Sequence, residues 1–370
     1  MSRTGRRPMV LFTCGREPTY VRNTVLRRAL EDRFEVVEVT SHAHGYARRF
    51  AEIVGKLAFR RPAYDVAVAG FLGQQLGLAL STFGSAPVVT DFFISLFDTV
   101  CLDRRLAPPF SPLGSAVYAL ESLAARRSAM LLTDTGEHSR FFNQLYGVES
   151  SMMSAIPVGF DDRLLKRQPQ PEPAKPLRVV YYCSFLPLHG ADVVVRAAIL
   201  LRDNHDIAFD IIGDGPQRRA CEKIALETRL TNLEFHPWLA PPALVHRIGQ
   251  ADICLAGPFG STGKAGRVVT GKTFQSMAVG RPTIVGDSPA TREIFEDGVH
   301  ALFCPRGDPE ALARAILRLG EDPGLRDSLG GNAADYVWSE FGPGAMADRV
   351  ERAVMLALDS GPVVSRRTGI

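Results

Sequence analysis

The chain has 370 residues, 46% hydrophobic and 22% charged, with a formal net charge of +3. Single cores usually stop growing near ~250 residues, so two domains are expected, each able to bury a core. The small charge argues against nucleic acid as a partner, no apolar run reaches the ~18 residues of a membrane span, and the basic start lacks a signal-peptide core; a cytoplasmic location is the expectation.

In chain order, "MVLFT" precedes helical spacing over 20–31, "EVVEV" precedes 45–60, "DVAVAG" precedes 73–82, "PVVTD" precedes a helix near 113–127, and "AMLLT" precedes 136–145. Short β-rich runs alternating with helices at this spacing predict a parallel sheet covered on both faces. The stretch 168–176, "QPQPEPAKP", puts four prolines in nine residues and predicts an extended linker. The alternation then restarts with "LRVVYY", "IAFDIIG", "LEFH", "DICLA", "TIVG" and "ALF", each followed by a helical segment. The expected architecture is α/β, with two doubly wound Rossmann-like domains facing a cleft. They span 8–167 and 177–344, a helix at about 345–358 packs back on the first, and 1–7 and 359–370 are expected to be disordered. Ser288-Pro289 and Asp308-Pro309 read as helix caps followed by first-turn prolines.

Six cysteines, Cys14, Cys101, Cys183, Cys221, Cys254 and Cys304, lie without C-x-x-C spacing and read as reduced buried thiols. His42 and His44 lack a carboxylate or cysteine at ligand spacing, so no metal is expected. The segment 46–62 sets Phe50, Ile53, Val54 and Leu57 at helical spacing among Arg48, Arg49, Lys56, Arg60 and Arg61. That pattern fits peripheral contact with anionic lipid at the inner face of a membrane, and equally a core-facing helix with a basic rim.

"GRVVTGKT", 266–273, satisfies the phosphate-loop pattern with Gly266, Gly271, Lys272 and Thr273. Its strand, "DICLA", ends well before Gly266, and Val268 and Val269 are bulky for a loop that wraps phosphate. The same physics remains in another form. A glycine-rich segment enters a helix whose first N–H groups are unpaired, with Lys264, Arg267 and Lys272 beside it, which predicts an anion site.

These segments resemble the donor domain of GT-B glycosyltransferases, specifically retaining family four (group 1). The resemblance rests on "VVYYCSFLPLHGADVVVRAA", "FDIIGDGPQ", "LEFHPWL" and the run from "ADICLAGPFGSTGKAGRVVTGKTFQSMAVG" to "GDPEALARAI". The first half resembles one bacterial subgroup through "YVRN", "DFFISLFDTVCLDRR" and "LLTDTGEHSRFFNQLYGV". The resemblance implies transfer of a sugar from a nucleotide diphosphate sugar, as co-substrate, to a sugar or lipid-linked acceptor held mainly by the first domain. It implies retention at the anomeric carbon and no metal requirement, with Lys264, Arg267 and Lys272 stabilising the leaving diphosphate.

The chain departs from the wider family. Ser184 and His189 stand where it carries an arginine and a lysine, and Arg267 and Gln275 replace its paired glutamates. Gln275 retains an amide for a ribose hydroxyl, whereas Arg267 has no acceptor. Trp238-Leu239 align with the base-flanking segment, and Glu293 with a glutamate that accepts from the donor. Gly213, Asp214 and Gly215 form a strand-to-helix turn that either faces the donor or needs glycine for backbone reasons alone. In the first domain, Asp91, Ser95, Asp98, Asp103 and Arg104 follow one strand and Asp134 and His138 the next, a crowding suited to acceptor hydroxyls, with Asp98 the candidate for the reacting one. Two other readings use the same residues: an inactive nucleotide-sugar-binding GT-B scaffold, and a P-loop NTPase.

Overall fold

Val10, Leu11 and Phe12 have no solvent exposure, and Val66–Gly70 and Val88–Asp91 are buried throughout. Continuous apolar strands of this kind are stable only when helices cover both faces of the sheet, and each such side chain contributes about 1.5–3 kcal/mol on burial. The computed structural model describes residues 6–172 and 174–361. They divide into two units, 6–159 with 343–361, and 160–342.

The first unit runs β1 (Met9–Cys14), α1 (Val21–Arg33), β2 (Glu35–Glu38), α2 (Tyr46–Arg60), β3 (Val66–Gly70), α3 (Gln74–Phe83), β4 (Val88–Asp91), α4 (Pro112–Arg127), β5 (Met130–Thr133), α5 (Gly136–Tyr146) and β6 (Met153–Ala155). A π-helix, Asp98–Asp103, stands between β4 and α4. All pairings are parallel, in the order β2-β1-β3-β4-β5-β6. Ser111 caps α4 by accepting from Gly114 N, with Pro112 in the first turn, and Thr135 caps α5 by accepting from His138 N.

The second unit runs β7 (Leu177–Tyr182), α6 (Ala191–Leu200), β8 (Ile207–Ile212), α7 (Arg218–Glu227), β9 (Leu233–His236), α8 (Pro241–Gly249), β10 (Ile253–Leu255), α9 (Gly271–Val279), β11 (Thr283–Asp287), α10 (Pro289–Ile294), β12 (Leu302–Pro305), α11 (Pro309–Glu321) and α12 (Pro323–Phe341). Its parallel order is β12-β11-β10-β7-β8-β9. Ser288 and Asp308 cap α10 and α11 as their sequence context predicts. The closing helix, α13 (Pro343–Ser360), belongs to the first unit. Its buried Met346, Val350, Val354 and Ala357 share one face, and Arg33 of α1 reaches Asp348 at 2.6 Å.

The proline-rich stretch is not a free tether. Gln168 N donates to Val279 O, Gln170 Nε2 donates to Gly280 O, and the buried Arg281 guanidinium donates to the carbonyls of Gln168 and Pro169 and to Gln170 Oε1. These bonds tie 168–170 into the second unit, and the contact boundary falls earlier, between Gly159 and Phe160. Of the expected disordered ends, 1–5 and 362–370 lie outside the described residues, whereas Asp359 and Ser360 complete α13.

In doubly wound sheets, ligands bind at the carboxyl ends of the strands where the order reverses. That point lies between β1 and β3 in the first unit and between β7 and β10 in the second.

Candidate functional site

At the second unit's reversal point, the loops leaving β7 and β10 are hydrogen-bonded to each other. Phe259 N donates to His189 O at 3.2 Å and Gly260 N to Leu188 O at 3.1 Å. The Tyr181 hydroxyl, at the end of β7, donates to the same His189 carbonyl at 2.7 Å. Arg306, after β12, donates from Nη1 to Thr262 O at 3.0 Å and from Nε to Asp287 O at 3.2 Å, which fixes the far side of the β10 loop.

The β10 loop ends in a short 3-10 turn, Lys264–Gly266, before α9. Lys264 is buried and Arg267 is half-buried. Thr270, the N-cap residue of α9, turns its hydroxyl to Ala256 O at 3.1 Å, so no side chain caps the first N–H groups. Lys272 lies in this first turn. Its ammonium is buried, 5.0 Å from the centre of the Tyr181 ring, and makes no hydrogen bond. Burial lowers its pKa from 10.5 to about 8. A buried charge without a hydrogen-bond partner carries a desolvation cost that a neighbouring anion would offset. His189 is pushed well below the usual imidazole value, first by burial and then by the positive charge of Lys272, so it is neutral at physiological pH.

The turn between β8 and α7 closes over the same edge. Gly213 has φ 129° and Gly215 φ 155°. A Cβ at Gly213 would stand 2.1 Å from Cys183 O and one at Gly215 1.8 Å from Ser184 O. Both glycines are therefore required by a close backbone approach between the ends of β7 and β8, whatever else the turn does. Asp214 is exposed and accepts from Gly215 N at 2.8 Å. Trp238 is 49% exposed, and its ring edge lies beside Gly213, 3.3 Å from where a Cβ there would stand; Leu239 is half-buried next to it. Gln275, one turn into α9, is held by the Tyr182 hydroxyl at 2.7 Å. Gly271 and Thr273 flank Lys272 at the start of α9, and Glu293 is exposed on α10.

Lys272, His189, Ser184, Gly213, Gly215 and Trp238 are thus gathered around the ends of β7 and β8, with Tyr181 and Arg306 as contributors that the sequence motifs do not mark. The phosphate-loop wrap is not formed. Strand β10 closes at Leu255, Gly266 comes only after the intervening loop, and Val268 and Val269 are buried rather than arranged around an anion.

In the first unit, Asp91 is fully buried and paired with Arg22, whose Nη2 lies 2.9 Å from Oδ1 and Nε 3.1 Å from Oδ2. The same guanidinium donates to the carbonyls of Thr133, Ile156 and Pro157. Asp91 is therefore a clamp on the ends of β4, β5 and β6 and is not presented to an acceptor, because both its oxygens are engaged by Arg22. Ser95 is likewise interior. It donates to Glu121 Oε2 at 2.7 Å, and Glu121 also accepts from Leu96 N, Phe97 N and the Tyr146 hydroxyl. This satisfied carboxylate, unmarked in the sequence, shapes the entry to the π-helix that carries Asp98 and Asp103. Arg104 is exposed just beyond it. Asp134 Oδ1 holds His138 Nδ1 at 2.7 Å, while Asp134 Oδ2 and His138 Nε2 make no hydrogen bond.

Among the described residues, Asp210, Glu234 and His236 are the one group with metal-ligand spacing, their ligand atoms lying within 4.8 Å of one another. Arg247 donates to Asp210 Oδ2 at 3.0 Å and Arg178 lies 3.7 Å from the same oxygen, so the cluster is already charge-compensated. His42 and His44 are exposed, and all six cysteines are buried thiols without disulfides.

Residues 176–322 match the family described as Glycosyl transferases group 1. Over these residues the second unit is similar to group 1 glycosyltransferases. The alpha-D-kanosaminyltransferase of Streptomyces kanamyceticus is 26% identical over 177 residues, 46% of this chain and 44% of that protein. The D-inositol 3-phosphate glycosyltransferase of Thermomonospora curvata is 23% identical over 244 residues, 60% of this chain and 55% of that protein. The chain spans about half the length of these curated relatives. Among solved structures, Anabaena HepE in complex with UDP and glucose superposes with a TM-score of 0.71 at 16% identity, covering 94% of this chain and 99% of that one. Sucrose-phosphate synthase from Thermosynechococcus elongatus gives 0.72 at 15% identity, covering 94% and 98%. The fold is of the GT-B type.

Proposed function

We propose that this chain is a glycosyltransferase that moves a sugar from a nucleotide diphosphate sugar to a hydroxyl of a glycan or glycolipid acceptor, with retention at the anomeric carbon and without a metal ion. The observation that carries this reading is the buried, hydrogen-bond-free ammonium of Lys272 at the uncapped start of α9, inside the stretch similar to group 1 glycosyltransferases. The leaving diphosphate gains negative charge as the glycosidic bond breaks, and preorganised cations at that point lower the barrier. Lys272 acts here with Lys264 and Arg267, and the N–H groups of Gly271 and Lys272 complete the cradle.

Trp238 and Leu239 flank the base, Gln275 and Glu293 bind donor hydroxyls, and Ser184, His189 and the Gly213–Gly215 turn line the diphosphate. On the acceptor side, the hydroxyl oxygen bonds to the anomeric carbon on the face that the diphosphate leaves. Its proton passes to a diphosphate oxygen, so no protein nucleophile is needed. Asp98, Asp134 and His138 orient the acceptor.

The test is a thermal-shift screen of the full chain against UDP-, GDP-, dTDP- and ADP-sugars and ATP, followed by sugar-dependent release of nucleoside diphosphate with and without chelator. Stabilisation by one class of nucleotide sugar and chelator-insensitive release are expected. Binding without release would identify a scaffold, a reading that the exchange of both family glutamates for Arg267 and Gln275 favours. No stabilisation by any nucleotide sugar, or magnesium-dependent ATP hydrolysis, would overturn both.

A further inference from the structure

Three aromatic side chains stand almost entirely in water, Phe59 at 91%, Phe83 at 90% and Phe110 at 96% exposure, and the first two flank one groove. Phe59 lies in the last turn of α2 and Phe83 ends α3. Between these helices runs an apolar groove of about 360 Å³, lined by Val54, Leu57, Ala58, Leu76, Ala79 and Leu80. No helix among the described residues is long and apolar enough to cross a membrane. Large exposed aromatics beside an open apolar groove mark a docking surface, because a soluble chain gains nothing by holding them in water.

Charge identifies the partner. Arg60 and Arg61 are exposed at the end of α2, and Arg61 holds φ 42° as its C-cap, a place usually given to glycine. Arg127, at the end of α4, donates to Thr82 Oγ1 at 2.9 Å, which sets it and the exposed Arg126 beside Phe83. Arg6 lies 3.8 Å from Asp65, at the start of β3, with exposed Arg7 next to it. In a parallel sheet covered by helices, strand starts and helix ends share one edge, so these arginines and both phenylalanines face the same way. Asp65 is the one carboxylate in 59–65, 82–87 and 126–129.

Only part of the amphipathic pattern read from 46–62, namely Val54, Leu57, Arg60 and Arg61, belongs to this surface. Phe50 and Ile53 pack into the core, Arg49 is buried against Gly15 O and Glu17, and Lys56 donates to Thr40 O. The docking face is the edge where α2, α3 and α4 end. The length of α4, about 24 Å, separates it from the strand ends that carry Asp98 and Asp134.

We infer that this edge docks on an anionic lipid bilayer, with Phe59 and Phe83 at headgroup depth, the arginines on lipid phosphates, and an acyl chain in the groove. The inference does not rest on the transfer reading and is tested apart from it. The full chain is co-sedimented with phosphatidylcholine vesicles and with vesicles that also contain phosphatidylglycerol, at low and high salt. Retention on the anionic vesicles alone is expected, weakened by salt, and reduced about tenfold in F59S/F83S and in R60E/R61E. The variants should keep the wild-type melting curve. L106S/F110S, which removes exposed apolar side chains at the other end of α4, should bind as wild type. Equal retention on neutral vesicles, binding unaffected by F59S/F83S, or loss in L106S/F110S instead would overturn the inference. So would a concentration-dependent dimer that F59S/F83S dissociates and that does not bind vesicles, which would assign the groove to a second copy of the chain.

Discussion

Lys272 holds its ammonium 5.0 Å from the centre of the Tyr181 ring and makes no hydrogen bond. A cation–π contact is worth about 2 kcal/mol when desolvated, less than the cost of burying a charge. Lys272→Met keeps the volume and removes the charge. The variant should be more stable than wild type by about 1–3 kcal/mol in denaturant unfolding without ligand. It should bind a nucleoside diphosphate about a hundredfold more weakly by calorimetry, the loss of one charge-assisted contact. A destabilised variant with unchanged affinity would make Lys272 a structural residue.

The same ammonium gives a pH dependence of defined sign. With a folded pKa of about 8 against 10.5 unfolded, the unfolded chain binds one more proton than the folded chain between those values. Ligand-free stability therefore rises with pH across that window, and below it the full penalty of about 3 kcal/mol is present. Diphosphate affinity runs the other way, strongest below about pH 8 and falling above it as Lys272 loses its proton. Wild type and Lys272→Met compared at several pH values isolate this group. Parallel profiles for the two proteins would remove Lys272 as the cause.

Arg22 and Asp91 supply a prediction about the first unit alone. Their side chains are both fully buried, and Arg22 joins three strand ends through Asp91 and the carbonyls of Thr133, Ile156 and Pro157. Asp91→Ala would leave the guanidinium buried without its counter-charge, and should cost about 3–5 kcal/mol. Urea unfolding followed by hydrogen exchange would show the loss in the first unit's strands. A change confined to acceptor affinity would return Asp91 to the site.

The strand–helix alternation and the caps at Ser288 and Asp308 were legible because they are local signals of period, punctuation and side-chain reach. The loop proposed to hold an anion was legible for the same reason, since its glycines, cations and helix start fall within one stretch of sequence. Three kinds of feature were not. Helix α12 contains the Gly330-Gly331 pair, and glycine inside a helix is locally unfavourable. In the structure Gly330 lets α12 approach so closely that a Cβ would stand 2.4 Å from Gly280 O. Asp91 and Ser95 read as exposed acceptor ligands because nothing near them in sequence announces Arg22 or Glu121, their partners across the fold. Tyr181 and Arg306 were silent because a strand tyrosine and a loop arginine have no motif; only the pairing of β7 with β10 gives them work.

Arg306 yields the last prediction, and it separates positioning from binding. Its guanidinium spans the carbonyls of Asp287 and Thr262, so it holds the loop that leads to Lys264. Arg306→Ala removes three hydrogen bonds to backbone oxygens, those of Asp287, Gly260 and Thr262, each charge-assisted and worth about 1.5–3 kcal/mol before relaxation. Because the loop is partly solvated and stays tied through Phe259 and Gly260, global stability should fall by only about 1 kcal/mol. The β10 loop should exchange its amide hydrogens faster, with α9 unchanged. Donor affinity should fall about tenfold, and saturating nucleoside diphosphate should restore most of the exchange protection, since the ligand reorders what the arginine held. If Arg306 instead contacted the ligand directly, Arg306→Lys would recover affinity by returning the charge. A positioning role predicts that it does not, because one ammonium cannot span these carbonyls.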